Sequence, residues 1–227
     1  MSHSMNSRAL SSTRPKQPWP SPALNRKALI SGLLLTYVGG FLDGYTYLGR
    51  GHVFANAQTG NMALLGISFF RGDGMQVLHY LLPISAFALG SLLTKQLERT
   101  TFSKRLVSAI EILILAFVAL AGSGLADQYA NMLISFVCAM QVTAFRQIDG
   151  LPYASTMCTG NLRSAMEKVD LFLLEKDLHQ LKQAAKYFLV IGCFMLGAGC
   201  SFVALSLWGL SSLYLACLIL LCHIVLI

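Results

Sequence analysis

Two Thr-Gly-Asn triads interrupt apolar stretches of this chain, one in ANAQTGNMALLG at 55–66 and one in STMCTGNLRSA at 155–165. Threonine is a common N-cap, glycine lets other groups approach the backbone closely, and asparagine carries two donors and an acceptor. A helix that begins at such a triad presents unpaired N–H groups and the positive end of its dipole. The triads therefore predict a site for a small polar or anionic solute. The triad residues assigned to it are Thr59, Gly60, Asn61, Thr159, Gly160 and Asn161.

One acidic residue, Asp43, lies within the apolar stretch 37–48 with three glycines close by. Ionisable residues inside membrane segments are rare and mark functional sites. Asp43 is therefore predicted to join the solute site as a proton or cation coupling group, with Gln141 in the equivalent place later in the chain. An alternative stays open, in which Asp43 lies near the end of its helix and reaches lipid headgroups or Arg50.

The composition predicts an all-α integral membrane protein. The chain is 55% hydrophobic and 12% charged, whereas soluble domains carry about 25% charged residues. Six apolar stretches approach the roughly 20 residues that a membrane-spanning helix needs. These stretches are 28–48, 77–94, 106–125, 131–145, 187–207 and 210–227. Glu111 and Arg146 are expected to lie at the membrane interface and to extend their charged ends to water.

Residues 1–27 are a different kind of sequence, with four prolines among Ser, Arg and Lys. Such a segment cannot bury enough apolar surface to become ordered, so it is predicted to be a disordered basic cytoplasmic tail. The rest of the chain, 28–227, is predicted to be a single membrane domain. The net charge of +7 agrees with Lys and Arg in cytoplasmic loops and predicts no nucleic-acid partner. Metal-ligand spacings and nucleophile motifs are not found, so neither a cofactor nor an enzyme activity is expected.

An internal repeat divides the membrane domain. The triads are 100 positions apart, segment 51–55 resembles 150–154, and 84–90 resembles 191–197. The repeats are placed at about 28–126 and 129–227, and a polar insert around 175–183 accounts for the longer second offset. A third shared element spaces small residues four apart, around Gly90 and Gly197, and predicts close helix packing rather than chemistry.

The distribution of positive charge favours one of two topologies. If the triad segments dip into the bilayer and return, six helices span it and 15 of the 17 Lys and Arg residues lie inside, leaving Arg50 and Arg71 outside. If the triad segments cross, eight spans result and a basic middle loop falls on the wrong side. The prediction is therefore six transmembrane helices plus two re-entrant half-helices in two inverted repeats, with both termini cytoplasmic.

The FANAQTGN run at 54–61, CTGN at 158–161, Asp43 and Gln141 together resemble the YoaK family of bacterial membrane proteins. The resemblance covers most of 29–227. It implies a location in the bacterial cytoplasmic (inner) membrane. The family has a domain of unknown function, so it implies no substrate.

The expected function is passage of a small solute, as a transporter or channel, through a midplane site formed by the paired triads. A non-transport scaffold or sensor, in which the triads only cap helices and join the two halves, is the alternative. An intramembrane enzyme ranks third. The expected partners are the lipid bilayer and an unidentified small solute, and oligomers are compatible with the sequence.

Overall fold

The computed structural model describes residues 25–99 and 103–227, which form helices and one small hairpin. The predicted tail lies outside the described residues except for its last three. Two of these, Arg26 and Lys27, already belong to the first helix, whose start is capped by the Asn25 side chain at 3.2 Å from the Ala28 N–H. The predicted tail therefore overlaps α1 at Arg26 and Lys27.

Eight helices follow one another along the described chain. They are α1 (Arg26–Gly49), α2 (Gln58–Phe70), α3 (Gly74–Leu97), α4 (Lys104–Ala121), α5 (Asp127–Ala144), α6 (Cys158–Glu175), α7 (Leu178–Trp208) and α8 (Leu213–Leu226). The antiparallel strands β1 (Gln147–Ile148) and β2 (Leu151–Pro152) lie between α5 and α6. The six predicted apolar stretches fall in α1, α3, α4, α5, α7 and α8, and the triads fall in α2 and α6.

Within the described residues, four helical segments are long and apolar enough to cross a membrane. They are Arg26–Gly49, Gly74–Leu97, Lys104–Gly124 and Leu178–Leu226, the last of which contains both α7 and α8. Large apolar side chains cover the outer surface, among them Phe70, Leu120 and Val225, which are 91%, 79% and 84% exposed. Such a surface is typical of a protein whose surroundings are lipid.

Helices of one half of the chain pack mainly against helices of the other half. Helix α1 packs against α7, and α5 packs against α3, so the first helix of each half contacts the third helix of the other half. Within the halves, α2 packs on α3 and α6 packs on α7. The two last helices, α4 and α8, contact each other. The main core lies between α1, α4, α5 and α8.

Helices α1 and α5 run in opposite directions. At the end of α1, the buried guanidinium of Arg50 donates to the carbonyls of Gly122 (2.8 Å) and Leu125 (3.0 Å) and pairs with Asp127 (3.1 Å) at the start of α5. In the turn after α5, Asp149 accepts a hydrogen bond from the Asn25 N–H (3.0 Å) at the start of α1. Each of the two helices therefore ends where the other begins.

The segment between α1 and α2 folds back along α1. The Asn56 amide donates to the Gly39 carbonyl in the middle of α1 (3.0 Å). Helix α2 then leads to α3, where His79 Nε2 lies 2.8 Å from the Gly51 carbonyl just after α1. The chain thus returns through α2 to the end of α1 that it left.

The second half repeats this path after α5. Ser155 contacts the Gln141 amide on α5 at 2.9 Å. Near the start of α7, Tyr187 donates to the Pro152 carbonyl in the hairpin (2.8 Å).

The predicted close helix packing is confirmed at both glycines of the repeated small-residue element. A Cβ added at Gly197 on α7 would lie 2.0 Å from the Tyr37 carbonyl oxygen on α1. A Cβ added at Gly90 on α3 would lie 2.4 Å from the Phe136 carbonyl oxygen on α5. These two glycines therefore let α1 and α7, and α3 and α5, approach to backbone contact.

Replacing Gly197 with alanine is expected to push α7 away from α1. Because the new methyl group would meet backbone rather than a flexible side chain, Gly197→Ala should lower the free energy of unfolding by about 1–3 kcal/mol. Gly199→Ala on the same helix is the matched control, since no heavy atom lies within 4 Å of its added Cβ. Unfolding in mixed detergent micelles measures both variants, and equal stability would contradict the packing described here.

Candidate solute-binding cavity

A cavity of about 840 Å³ lies where the starts of α2 and α6 meet α1 and α7. It brings together four of the predicted site residues, Asp43, Thr59, Thr159 and Gly160. The other four, Gly60, Asn61, Gln141 and Asn161, lie outside its lining. Tyr47, Phe54 and Phe194 make much of the remaining wall apolar. The first turns of two helices therefore face one space.

The threonines do not cap these helices, and that part of the prediction is wrong. Helix α2 begins at Gln58 and α6 begins at Cys158, so each threonine is the second residue of its helix. The caps are Ala57 and Met157, whose side chains accept no hydrogen bond from the N–H groups of the first turn. Both threonine side chains are exposed on the cavity side, where they can contact a solute.

Each triad asparagine instead fastens the segment that precedes its helix. Asn61 Oδ1 accepts from the Phe54 N–H (3.1 Å), and its Nδ2 donates to the Phe54 carbonyl (2.6 Å). Asn161 makes the same two contacts with Ala154, at 3.3 and 2.8 Å. In both halves one amide satisfies the N–H and the C=O of the residue seven positions earlier. Direct contact of these amides with a solute stays a prediction.

Asp43 is almost fully buried, at 5% exposed. Its Oδ1 accepts from the backbone N–H of Asn56 at 2.7 Å, which joins α1 to the folded-back segment before α2. Arg50, the alternative partner, is 0% exposed and pairs with Asp127 instead. Asp43 therefore does not pair with Arg50.

Gln141, the counterpart of Asp43, is buried and faces the backbone of its neighbours. Its Nε2 donates to the Leu35 carbonyl (3.2 Å) and to the Ser155 hydroxyl (2.9 Å). It thereby connects α5, α1 and the segment before α6. The two equivalent positions fasten equivalent segments, but only Asp43 places a carboxyl group at the cavity.

Two cavity residues were missed by the sequence analysis. Asn56 and Thr156 both line the cavity, and both are buried, at 0% and 2% exposed. Each precedes the threonine of its triad by three positions. Aligning the two motifs beyond the triads would have placed them opposite each other.

Glu111 corrects a further expectation. It is 0% exposed within α4, and in the described part of the chain neither of its carboxylate oxygens has a hydrogen-bond partner. Its expected interfacial position is therefore wrong, because α4 turns this residue towards α5 and α8 rather than to water. Arg146 is exposed, as expected.

Comparison with known proteins places the chain in a family. Residues 31–226 match the family model described as "Protein of unknown function (DUF1275)". This chain belongs to the DUF1275 family. It is similar to the UPF0700 transmembrane protein YoaK of Bacillus subtilis (strain 168), with 26% identity over 187 residues, which are 78% of this chain and 82% of that protein. No solved structure matches the chain.

The resemblance to the YoaK family is thereby confirmed. Helices apolar enough to span a bilayer, together with a transmembrane relative, identify this DUF1275 protein as a multi-pass membrane protein.

We call the paired contacts of Asn61 with Phe54 and of Asn161 with Ala154 the asparagine clamps. Removing either clamp is expected to destabilise the protein. Asn61→Ala and Asn161→Ala each leave a backbone N–H and C=O without their partner, at a cost of about 1–3 kcal/mol. The two losses should be similar because the contacts are the same. Met62→Ala, next to Asn61 and 54% exposed, is the control. Thermal unfolding in detergent measures the three variants, and wild-type stability of both asparagine variants would show that the clamps do not hold the segments.

Proposed function

We propose that this protein passes a small polar or anionic solute across the bacterial cytoplasmic membrane through the cavity between α2 and α6. The observation that carries the proposal is that the starts of both triad helices and the carboxyl group of Asp43 face one cavity of about 840 Å³. That volume lies within the range of sites that enclose small molecules. Transport rather than catalysis is proposed, and Asp43 is assigned the role of coupling group.

The charge of the cavity suits an anionic group. The first N–H groups of a helix have no partner within the helix, and they carry about half a positive charge in total. Helices α2 and α6 both begin at the cavity wall, and neither start is preceded by an acidic residue. Asp43 is the one acidic side chain of the cavity lining. Neutralising its charge would leave the two positive helix ends to hold the solute.

The proposal includes six transmembrane helices and two re-entrant half-helices, α2 and α6, in inverted repeats. Three observations support this topology. Helices α1 and α5 run in opposite directions. The contact between His79 and Gly51 brings the start of α3 to the end of α1. Arg50 is buried and paired, so Arg71 is the exposed basic residue left on the proposed outer side, in agreement with the positive-inside rule.

A scaffold or sensor is the second candidate, and the two asparagine clamps favour it. Amides that only hold their own backbone need no solute. This function does not account for the exposed threonines at the cavity or for a buried acid beside it, so we place transport first.

Filling the cavity is expected to abolish uptake. No heavy atom lies within 4 Å of a Cβ added at Gly160, which lines the cavity, so Gly160→Phe should place its ring in the solute path without disturbing the backbone. In a deletion strain, uptake is profiled with small carboxylates, phosphate, sulfate, amino acids and polyols. We expect that uptake of at least one solute class is lost on deletion and is restored by the wild-type protein.

The Gly160→Phe variant should restore less than about one tenth of that uptake, because displacing a bound solute costs more than the 1.4 kcal/mol of a tenfold loss. Gly199→Phe is the control, since it adds the same side chain to an exposed, open position on α7. Transport would be refuted if deletion changes no solute class, or if Gly160→Phe supports wild-type uptake.

A further inference from the structure

Asn56 and Thr156 flank the same turn of α1, one from each half of the chain. Asn56 contacts this turn twice, through its N–H to Asp43 Oδ1 (2.7 Å) and its Nδ2 to the Gly39 carbonyl (3.0 Å). A Cβ added at Gly39 would lie 3.0 Å from Thr156 Cγ2. Because Gly39 has no side chain, Thr156 and Asn56 can both lie against the backbone of α1 close to Asp43.

Each of these two residues has an oxygen atom without a partner. Asn56 Oδ1 and Thr156 Oγ1 are buried, and neither has a hydrogen-bond partner within 25–99 and 103–227. An unsatisfied buried polar atom is costly and calls for a ligand, an ion or ordered water. Here two such atoms occupy equivalent positions in the two repeats, and both residues line the cavity with Asp43. An unpartnered oxygen at the same position of each repeat, together with the Asp43 carboxyl group in the same cavity, indicates a bound species.

The chemistry of this donor set suits a monovalent cation. A carboxylate, an amide oxygen and a hydroxyl are hard oxygen ligands of the kind that alkali and alkaline-earth cations take. One carboxylate balances one positive charge, whereas a divalent ion would leave an uncompensated charge in the bilayer interior. A proton on Asp43 would leave the oxygens of Asn56 and Thr156 without a role.

We propose that Asp43, Asn56 and Thr156 form a binding site for one sodium-type monovalent cation at the α1 side of the cavity. In transporters with broken helices, sodium is commonly coordinated at the irregular segments, where oxygen atoms are not used by a helix.

The site gives the proposed transport a coupling mechanism, and this step rests on that proposed function. A bound cation would neutralise the charge of Asp43 and leave the positive starts of α2 and α6 to attract an anionic solute. Cation and solute would then strengthen each other's binding by the same factor. Cation binding itself does not depend on transport and is tested without it.

The test is sodium-dependent stabilisation of the purified full chain in detergent. A cation that binds only the folded protein raises the unfolding temperature in a saturable manner. NaCl is titrated against choline chloride at constant ionic strength. We expect a saturable rise with sodium and none with choline for the wild-type protein. Thr156→Val keeps the shape of the side chain and removes the hydroxyl, so it should weaken sodium binding by about tenfold or more.

Two further variants serve as controls, and a third removes the charge of Asp43. Thr156→Ser restores a hydroxyl and should restore binding. Glu111→Gln changes a buried acid that does not line the cavity and should keep the sodium response. Asp43→Asn should abolish it. A wild-type protein without a sodium response, or Asp43→Asn or Thr156→Val with an unchanged one, would overturn the site, and a response to pH alone would assign Asp43 to a proton.

The outcome is separable from that of the transport proposal. Sodium binding without solute uptake would retain the cation site and refute transport. Uptake that is the same in sodium and choline would retain transport and overturn the site as its coupling element.

Discussion

Backbone N–H and C=O groups inside a lipid-embedded bundle need hydrogen-bond partners, and this requirement is greatest where the backbone is not helical. Two such segments of the chain, 50–57 and 145–157, lie folded back against α1 and α5. Their partners come from a small set of buried side chains. Asn61 and Asn161 close the segments onto their own helices, while Asp43 and Gln141 fasten them to the long helices. The position of α2 and α6, and hence of the cavity, depends on these contacts.

The same requirement explains where the two halves differ. Near the end of α1, Arg50 binds carbonyls and a carboxylate at the start of α5, and after α5 the acidic Asp149 binds Asn25 and Lys186 at the other end. The backbone needs a partner at each place, but either a donor or an acceptor can supply it. On α1 the Asp43 carboxylate accepts from the backbone N–H of Asn56, whereas on α5 the Gln141 amide donates to the Ser155 hydroxyl. The two corresponding positions therefore differ in charge, and of the two only Asp43 lines the cavity.

Much of the fold could be predicted because it depends on regular patterns. Long apolar stretches gave α1, α3, α4, α5, α7 and α8, and the repeated spacing of small residues gave the contacts of Gly90 and Gly197. The paired triads located the helix starts to within two residues.

The choice of partner for each polar side chain was harder to predict. A threonine before a helix predicts an N-cap. In this structure the asparagine two positions later binds the preceding segment instead. The burial of Glu111 was not predicted, because the hydropathy of segment 106–125 does not show which face of α4 is buried. The pairing of Arg50 with Asp127 joins residues 77 positions apart, and no local pattern encodes it.

We infer that the chain returns through α2 to the side of the membrane that it left at the end of α1. Single cysteines in place of His52 and Arg71, both exposed, test it on a background without the native cysteines. Whole cells are labelled with a membrane-impermeant maleimide before and after permeabilisation. Both positions are expected to react in intact cells, because the proposed re-entrant topology places both on the outer side. Labelling of one position in intact cells and of the other only after permeabilisation would show that α2 crosses the membrane and would refute that topology.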